Sequence, residues 1–262
     1  MRTQENPSGK PLADVTWLEH HHVAKMPERI AFAKRLALLH PKRVVDLGCA
    51  SGLWLELLNN YLPQDCEFIG IDSDNTSLEI AKARSTKWSR NSSFILLDIE
   101  KEAQRIPPSD LTLAFNIFPY IGDLSAFLKK LSSRTPMGIL AVRQYDGASI
   151  RFGPMLTADR QRMEVDLRLA VENSQKFKHY DLDRTIRALH DSLYTTIDCE
   201  FELFQRISPF PDEFIPYYVG TLEWTRDHLS EYSAERLQAW IDDNSLQQCR
   251  YFYEVDLVAL LS

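Results

Sequence analysis

Five short apolar runs alternate with helix-like stretches through the first half of the chain, and no other feature narrows the possible folds as far. The runs occupy residues 43–47, 67–72, 93–97, 111–116 and 138–144. Each has the length of a strand buried in a parallel sheet. The stretches between them carry helix signals. One, 27–40, opens on Pro27, has Glu28 in its first turn and stops before Pro41; a second, 53–62, stops before Pro63. A third starts at Asp74 or Asn75 as N-cap and presents Leu78, Ala81, Ser85 and Trp88, and a fourth follows Asp123 with Leu124, Phe127, Leu128 and Leu131. This alternation predicts βαβ units wound right-handedly into an α/β sheet with helices on both faces.

After Gly147 the rhythm changes. Residues 156–193 read as one or two polar helices with Leu156, Met163, Leu167, Leu169, Val171, Ile186, Leu189 and Leu193 as apolar positions. A strand over 199–207 follows. The stretch 208–248 opens on SPFPDEFIP and holds helices around 214–229 and 234–242, and 251–261 closes the chain as an apolar strand. The two late strands, joined by a helical excursion, predict an antiparallel pair at the sheet edge, seven strands in all.

Charge excludes one class of partner. Of the net −7, residues 198–262 supply −9, with thirteen acids against Arg206, Arg226, Arg236 and Arg250. The first 197 residues, near +2, lack the basic footprint of a nucleic-acid binder. No run of about 18 apolar residues occurs, and MRTQENPSGK has no apolar signal-peptide core, so the expectation is a cytoplasmic chain without a membrane span. Cys49, Cys66, Cys199 and Cys249 form no CxxC pair, which predicts reduced thiols and no zinc site.

The sharpest local feature is RVVDLGCASG, residues 43–52: an apolar strand, the acid Asp46, then a glycine-bearing turn opening a helix at Leu53. Gly48 lets a ligand approach the backbone, and free N–H groups of the turn meet polar ligand atoms. The dinucleotide fingerprint G-x-G-x-x-G is absent, since position 50 is Ala50, which disfavours pyrophosphate.

This segment resembles motif I of the class I S-adenosylmethionine-dependent methyltransferases, with Ala50 in place of the middle glycine. The resemblance covers about residues 27–147 and the two-strand ending. It implies a Rossmann-like fold, S-adenosylmethionine as cofactor, and a role for each strand end. Asp46, Gly48, Cys49 and Ala50 line the cofactor. Asp72, in FIGID, accepts from both ribose hydroxyls, with Ser73 beside it. Asp98, in FILLD, accepts from the adenine amino group while the N–H of Ile99 reaches the ring. Asn116 and Phe118, in AFNIFPY, lie beside the methyl donor. Taken singly, Asp72 reads equally well as a helix cap and Asp98 as a turn residue. Three acids at successive strand ends favour the joint functional reading.

Other residues carry weaker signals. Cys49 has no positioned base, so it is a packed thiol rather than a nucleophile. Asn116, Pro119 and Tyr120 imitate the Asn-Pro-Pro-Tyr of some nitrogen methyltransferases with one residue too many, leaving Tyr120 as a wall of the acceptor pocket. His20, His21 and His22 precede the first helix, and three successive histidines cannot share one helix face, so no metal is expected. His21 is a candidate general base. VRQYDGASIRFGP follows the fifth strand and offers Arg143, Tyr145, Asp146 and Arg151 for a polar acceptor, with Tyr145 and Asp146 as further catalytic candidates; the structural reading is an Arg143–Asp146 pair capping a turn.

Together these imply one domain over 27–262 after an N-terminal segment 1–26. Its cofactor core is 27–147, and helical insertions 148–197 and 208–248 form an acceptor lid whose Phe210, Phe214, Tyr217, Tyr218 and Trp224 suit a partly apolar metabolite. The implied activity is methyl transfer to N or O, with C as an option, of a small molecule, by a monomer or homodimer. A nicotinamide-dependent oxidoreductase and a non-catalytic ligand-binding protein of the same fold are the alternatives.

Overall fold

The computed structural model describes residues 13–134, 138–173 and 179–262. The polar start 1–10 and residues 174–178 of the 156–193 stretch lie outside them. Along the chain run α1 (Val15–Ala24), α2 (Met26–Ala37), β1 (Arg43–Leu47), α3 (Leu53–Asn59), β2 (Glu67–Asp72), α4 (Asn75–Ser85), β3 (Ser92–Leu96), β4 (Leu111–Phe115), α5 (Leu124–Arg134) and β5 (Ile139–Tyr145). Then come β6 (Arg151–Gly153), α6 (Thr157–Asn173), α7 (Leu182–His190), β7 (Thr196–Ile207), α8 (Ile215–Arg226), α9 (Glu231–Asp242) and β8 (Tyr251–Leu261). Among the described residues no helix is long and apolar enough to cross a membrane.

The chain forms two compact units. One comprises Met26–Gln144, Asp183–Glu200 and Leu257–Ser262. Its sheet runs β3-β2-β1-β4-β5 with every neighbour parallel, as the βαβ alternation predicts, and β8 follows β5. Every residue of β4 is buried, whereas β3, at the edge, has none that is. The core under α2 and α3 gathers Phe32, Leu36, Val44, Leu55, Leu58, Phe68, Leu113, Val258 and Leu260. Cutting a side chain such as Leu113 to alanine in so closed a layer costs about 2–5 kcal/mol. Trp88 lies beyond the end of α4 and packs edge-on against Phe68 rather than extending a helix face.

The other unit comprises residues up to Lys25, Tyr145–Leu182 and Phe201–Asp256. Its core is aromatic: Phe152, Phe204, Phe214, Tyr217, Tyr218, Trp240 and Phe252, with Met163, Leu167 and Val171 from α6. Leu156 and Leu169, read as apolar-face positions, are exposed.

Reciprocal amide bonds between Thr195 and Ser262, and a bond from Ser208 to Arg250 at the opposite ends, fix β7 antiparallel to β8. The described sheet has eight strands rather than seven. The addition, β6, pairs antiparallel with Tyr251–Tyr253 and is too short to leave a sequence pattern. A second correction concerns the histidines. They lie inside α1, a helix not expected ahead of the one at 27–40; the start of α1 is capped by the Asp14 carboxylate, which accepts from the amides of Thr16 and Trp17 at 2.9 and 3.3 Å.

Candidate functional site

Asp46, Asp72, Asp98 and Asn116 stand at or just past the carboxyl ends of β1 to β4, which the parallel register brings to one edge of the sheet. The turn after β1 is tightly folded. Gly48, Ala50 and Gly52 all adopt left-handed backbone, at φ of 67°, 45° and 78°. Gly48 has a second reason to lack a side chain: a Cβ there would fall 2.4 Å from Cγ2 of Ile117. The turn is tied to the end of β2. Cys49 donates its amide to Ile71 at 2.9 Å, and Ala50 donates its amide to Oδ2 of Asp72 at 2.8 Å. Oδ1 of Asp72 accepts from the amide of Asp74 at 2.9 Å, and Asp74 in turn caps α4.

Asp46 is 3% exposed, and the Oγ of fully buried Ser51 has no hydrogen-bond partner among the described residues. Burial first, and then the charge of Asp72, hold the Asp46 carboxyl well above the ordinary aspartate range. Burial also raises Asp72, against the pull of the Asp74 and Ala50 amides. Two adjacent carboxyls of this kind suit a ligand that brings positive charge and hydroxyl donors. Cys49 is buried, and burial with both carboxylates pushes its thiol up, so it stays protonated and packed. Its Sγ occupies the space above Gly70, where a Cβ would fall 2.8 Å away.

Asp98 accepts from the amides of Glu100 and Lys101 and pairs with the Lys101 ammonium at 3.1 Å, so the turn-residue role is realised in its geometry. Ile99 is half-buried and Ser73 exposed. Asn116, at φ 56°, donates its amide to the Arg143 carbonyl at 2.8 Å. Phe118 is fully buried, and Tyr120, half-buried, ends the same 3-10 turn. Arg143 is buried with its guanidinium 5.3 Å from the Phe32 ring centre.

In the second unit Tyr145 is half-buried, and burial and the charge of Glu254 hold its phenol well above the usual range. Asp146 caps the turn over Gly147–Ser149, accepting from the Ala148 amide and the Ser149 hydroxyl. Arg151 donates to the Tyr253 hydroxyl at 2.9 Å. His21 stacks on Tyr217, ring centres 5.2 Å apart, and His22 is buried. The aromatic residues expected to form an acceptor pocket are in large part core, Phe214, Tyr217 and Tyr218 being at most 5% exposed.

A buried polar group that sequence reasoning did not reach lies here. The Lys25 ammonium meets the carboxylates of Glu254 and Asp256, the latter through both oxygens at 3.0 and 3.1 Å. The Tyr217 hydroxyl donates to Glu254 at 2.8 Å. Burial and the charge of Asp256 raise the Glu254 carboxyl, with Lys25 opposing them. The only sequence signal was two acids at alternate positions of an otherwise apolar strand.

A model of the methyltransferase domain matches residues 40–198. The ubiquinone biosynthesis O-methyltransferase of Rhodopseudomonas palustris strain TIE-1 is 30% identical over 115 residues, 42% of this chain and 42% of that protein. The trans-aconitate 2-methyltransferase of Rhizobium etli is 31% identical over 113 residues, 43% of this chain and 42% of that protein. The chain thus spans less than half the length of these curated relatives. Among solved structures, the YcgJ protein of Bacillus subtilis superposes with a TM-score of 0.56 at 14% identity, covering 90% of this chain and 97% of that one. The cyclopropane synthase MmaA2 of Mycobacterium tuberculosis gives 0.53 at 13%, covering 90% and 84%. At such identities the superpositions speak to the fold alone.

Proposed function

Because this chain belongs to the methyltransferase-domain family, we propose that it transfers a methyl group from S-adenosylmethionine to an oxygen or nitrogen, or a carbon, of a small-molecule acceptor. The observation that carries the reading is the Asp46 and Asp72 carboxyl pair at adjoining strand ends, joined to the left-handed turn through the Ala50 amide. The cofactor fits this pair: its ribose hydroxyls, ammonium and sulfonium bring donors and positive charge to two carboxyls that burial raises. Asp46, Gly48, Cys49, Ala50, Asp72, Ser73, Asp98, Ile99, Asn116 and Phe118 are the residues assigned to hold it.

When bound, the cofactor supplies an electrophilic sulfonium methyl carbon. The chain's share is to align the acceptor in line with that carbon and exclude water. Tyr120 and Arg143 are assigned to orient the acceptor, and Asp146 or His21 to take its proton where one must leave; Tyr145, whose phenol is held protonated, serves in this reading as a hydrogen-bond donor. Segments 148–197 and 208–248 serve as the acceptor lid in this reading. The O-methyltransferase name of one relative favours oxygen. A monomer or homodimer acting in the cytoplasm, on neither nucleic acid nor membrane, completes the proposal.

Titration calorimetry with S-adenosylhomocysteine and with NADH separates this reading from a nicotinamide enzyme. Binding of the first and not the second is expected, and the reverse overturns the proposal. Turnover of S-adenosylmethionine with a metabolite extract then separates an enzyme from a binding protein.

A further inference from the structure

The turn after β4 is gripped from two sides by residues that belong to neither the motif I turn nor the strand ends. From α7, the Arg184 guanidinium donates to three carbonyls of the turn: Phe118 at 3.0 Å, Gly122 at 3.1 Å, and Ile121. From the segment after β3, Oε1 of Glu100 accepts from the amides of Gly122 and Asp123 at 2.8 and 3.3 Å. Glu100 in turn donates its own amide to the Asp98 carboxylate at 3.2 Å. A single chain of hydrogen bonds thus runs from Asp98 through Glu100 and Gly122 to Arg184 and α7. All of these residues lie in one unit.

The carbonyls that Arg184 takes belong to the turn that follows Asn116. Asn116 stands at φ 56° without being glycine, and the next residues fold into the tight 3-10 turn that carries Phe118 and Tyr120. A planar guanidinium with several fixed donors holds three carbonyls at once, which an ammonium cannot match. Helix α7 is anchored for this purpose: Leu182, Thr185, Ala188 and Leu189 are buried along one face, with Arg184 half-buried beside them.

We propose that Arg184 is a positioning residue that sets the Phe118–Tyr120 turn, and that Glu100 links it to the Asp98 segment, so that filling the cofactor site tightens the hold on α7. The proposal rests on the methyl-transfer reading for the identity of the ligand. It makes the acceptor side of the site respond to the adenine side through backbone contacts rather than through the cofactor itself.

The test is hydrogen exchange of the full chain with and without S-adenosylhomocysteine, together with calorimetric affinity, for wild type, R184A, R184K, E100A and E100Q. In the wild type the ligand is expected to add protection over 116–123 and 182–190. R184A and E100A should lose the ligand-dependent protection at 182–190 and bind roughly five- to tenfold more weakly. E100Q, which keeps the accepting oxygen, should behave as wild type, and R184K should fall between. A merely structural role would lower melting temperature without moving the ligand-dependent difference, and R184K serves where R184A does not fold. Wild-type binding with unaltered protection at 182–190, or R184A and R184K responding as wild type does, overturns this proposal alone. No binding by the wild type overturns the methyl-transfer reading and this proposal with it.

Discussion

Asp72 holds the amide of Ala50 at 2.8 Å, so the acid assigned to the ribose also fastens the motif I turn to the end of β2. One carboxylate therefore has a structural role beside its proposed binding role, and substitution separates them.

Asp72→Ala leaves the amides of Ala50 and Asp74 without their acceptor. A loss of about 1–3 kcal/mol in stability is expected, with S-adenosylhomocysteine affinity down by about tenfold or more. Asp72→Asn keeps one accepting oxygen and should recover much of the stability while still binding weakly. Equal affinity in all three proteins, measured by calorimetry, would remove Asp72 from the ligand.

Ala50 occupies left-handed backbone that glycine adopts freely. Ala50→Gly should raise stability by about 1 kcal/mol in urea denaturation without weakening ligand binding. Gly48→Ala meets both a positive φ and the Ile117 methyl, and should cost about 3 kcal/mol or more and abolish binding. A tolerant Gly48→Ala would contradict the turn geometry.

The Asp46 carboxyl is raised by burial, so the folded chain holds its proton to higher pH than the unfolded chain does, whose carboxyl titrates near 3.8. Folded-state proton uptake then exceeds unfolded-state uptake between the two values, and stability falls as pH rises through that window. Asp46→Asn removes this loss. Without ligand, the variant should melt higher than wild type at neutral pH, and the gap should close below pH 3.8. A gap independent of pH would show that the carboxyl charge is not its cause.

Removing the Lys25 charge leaves two buried carboxylates facing each other. Lys25→Met should destabilise by about 3–5 kcal/mol at neutral pH. The deficit should shrink in acid, because protonation of Glu254 or Asp256 relieves it, and should shrink at neutral pH when Asp256→Asn is added. Chemical denaturation at two pH values checks both.

How legible the molecule was in its sequence depends on the range of the forces involved. β1, β2 and β8 were readable to the residue because apolar runs end at turn-forming or charged residues. β6 was not, because three residues paired with Tyr251–Tyr253 leave no periodicity of their own. α1 escaped because its buried residues are a histidine and an alanine rather than an apolar stripe, although Asp14 was there to be read as a cap. Asp46 and Asp72 were found as strand-end acids. Lys25 and Arg184 were not, since a lysine or arginine reads as surface until the carboxylates or carbonyls that surround it, from distant parts of the chain, are known.

The room above Gly70 is filled by the sulfur of Cys49, with the Phe94 ring on the other side. Positions 49 and 70 therefore draw on one volume and cannot vary independently. A relative with a bulkier residue at the first must keep the second bare, and one with alanine at the second must be smaller at the first and must also give way at the Phe94 ring, which a Cβ at 70 would meet at 2.6 Å. Across homologues the two columns should covary, and the paired exchange Cys49→Gly with Gly70→Ala should be tolerated better than Gly70→Ala alone.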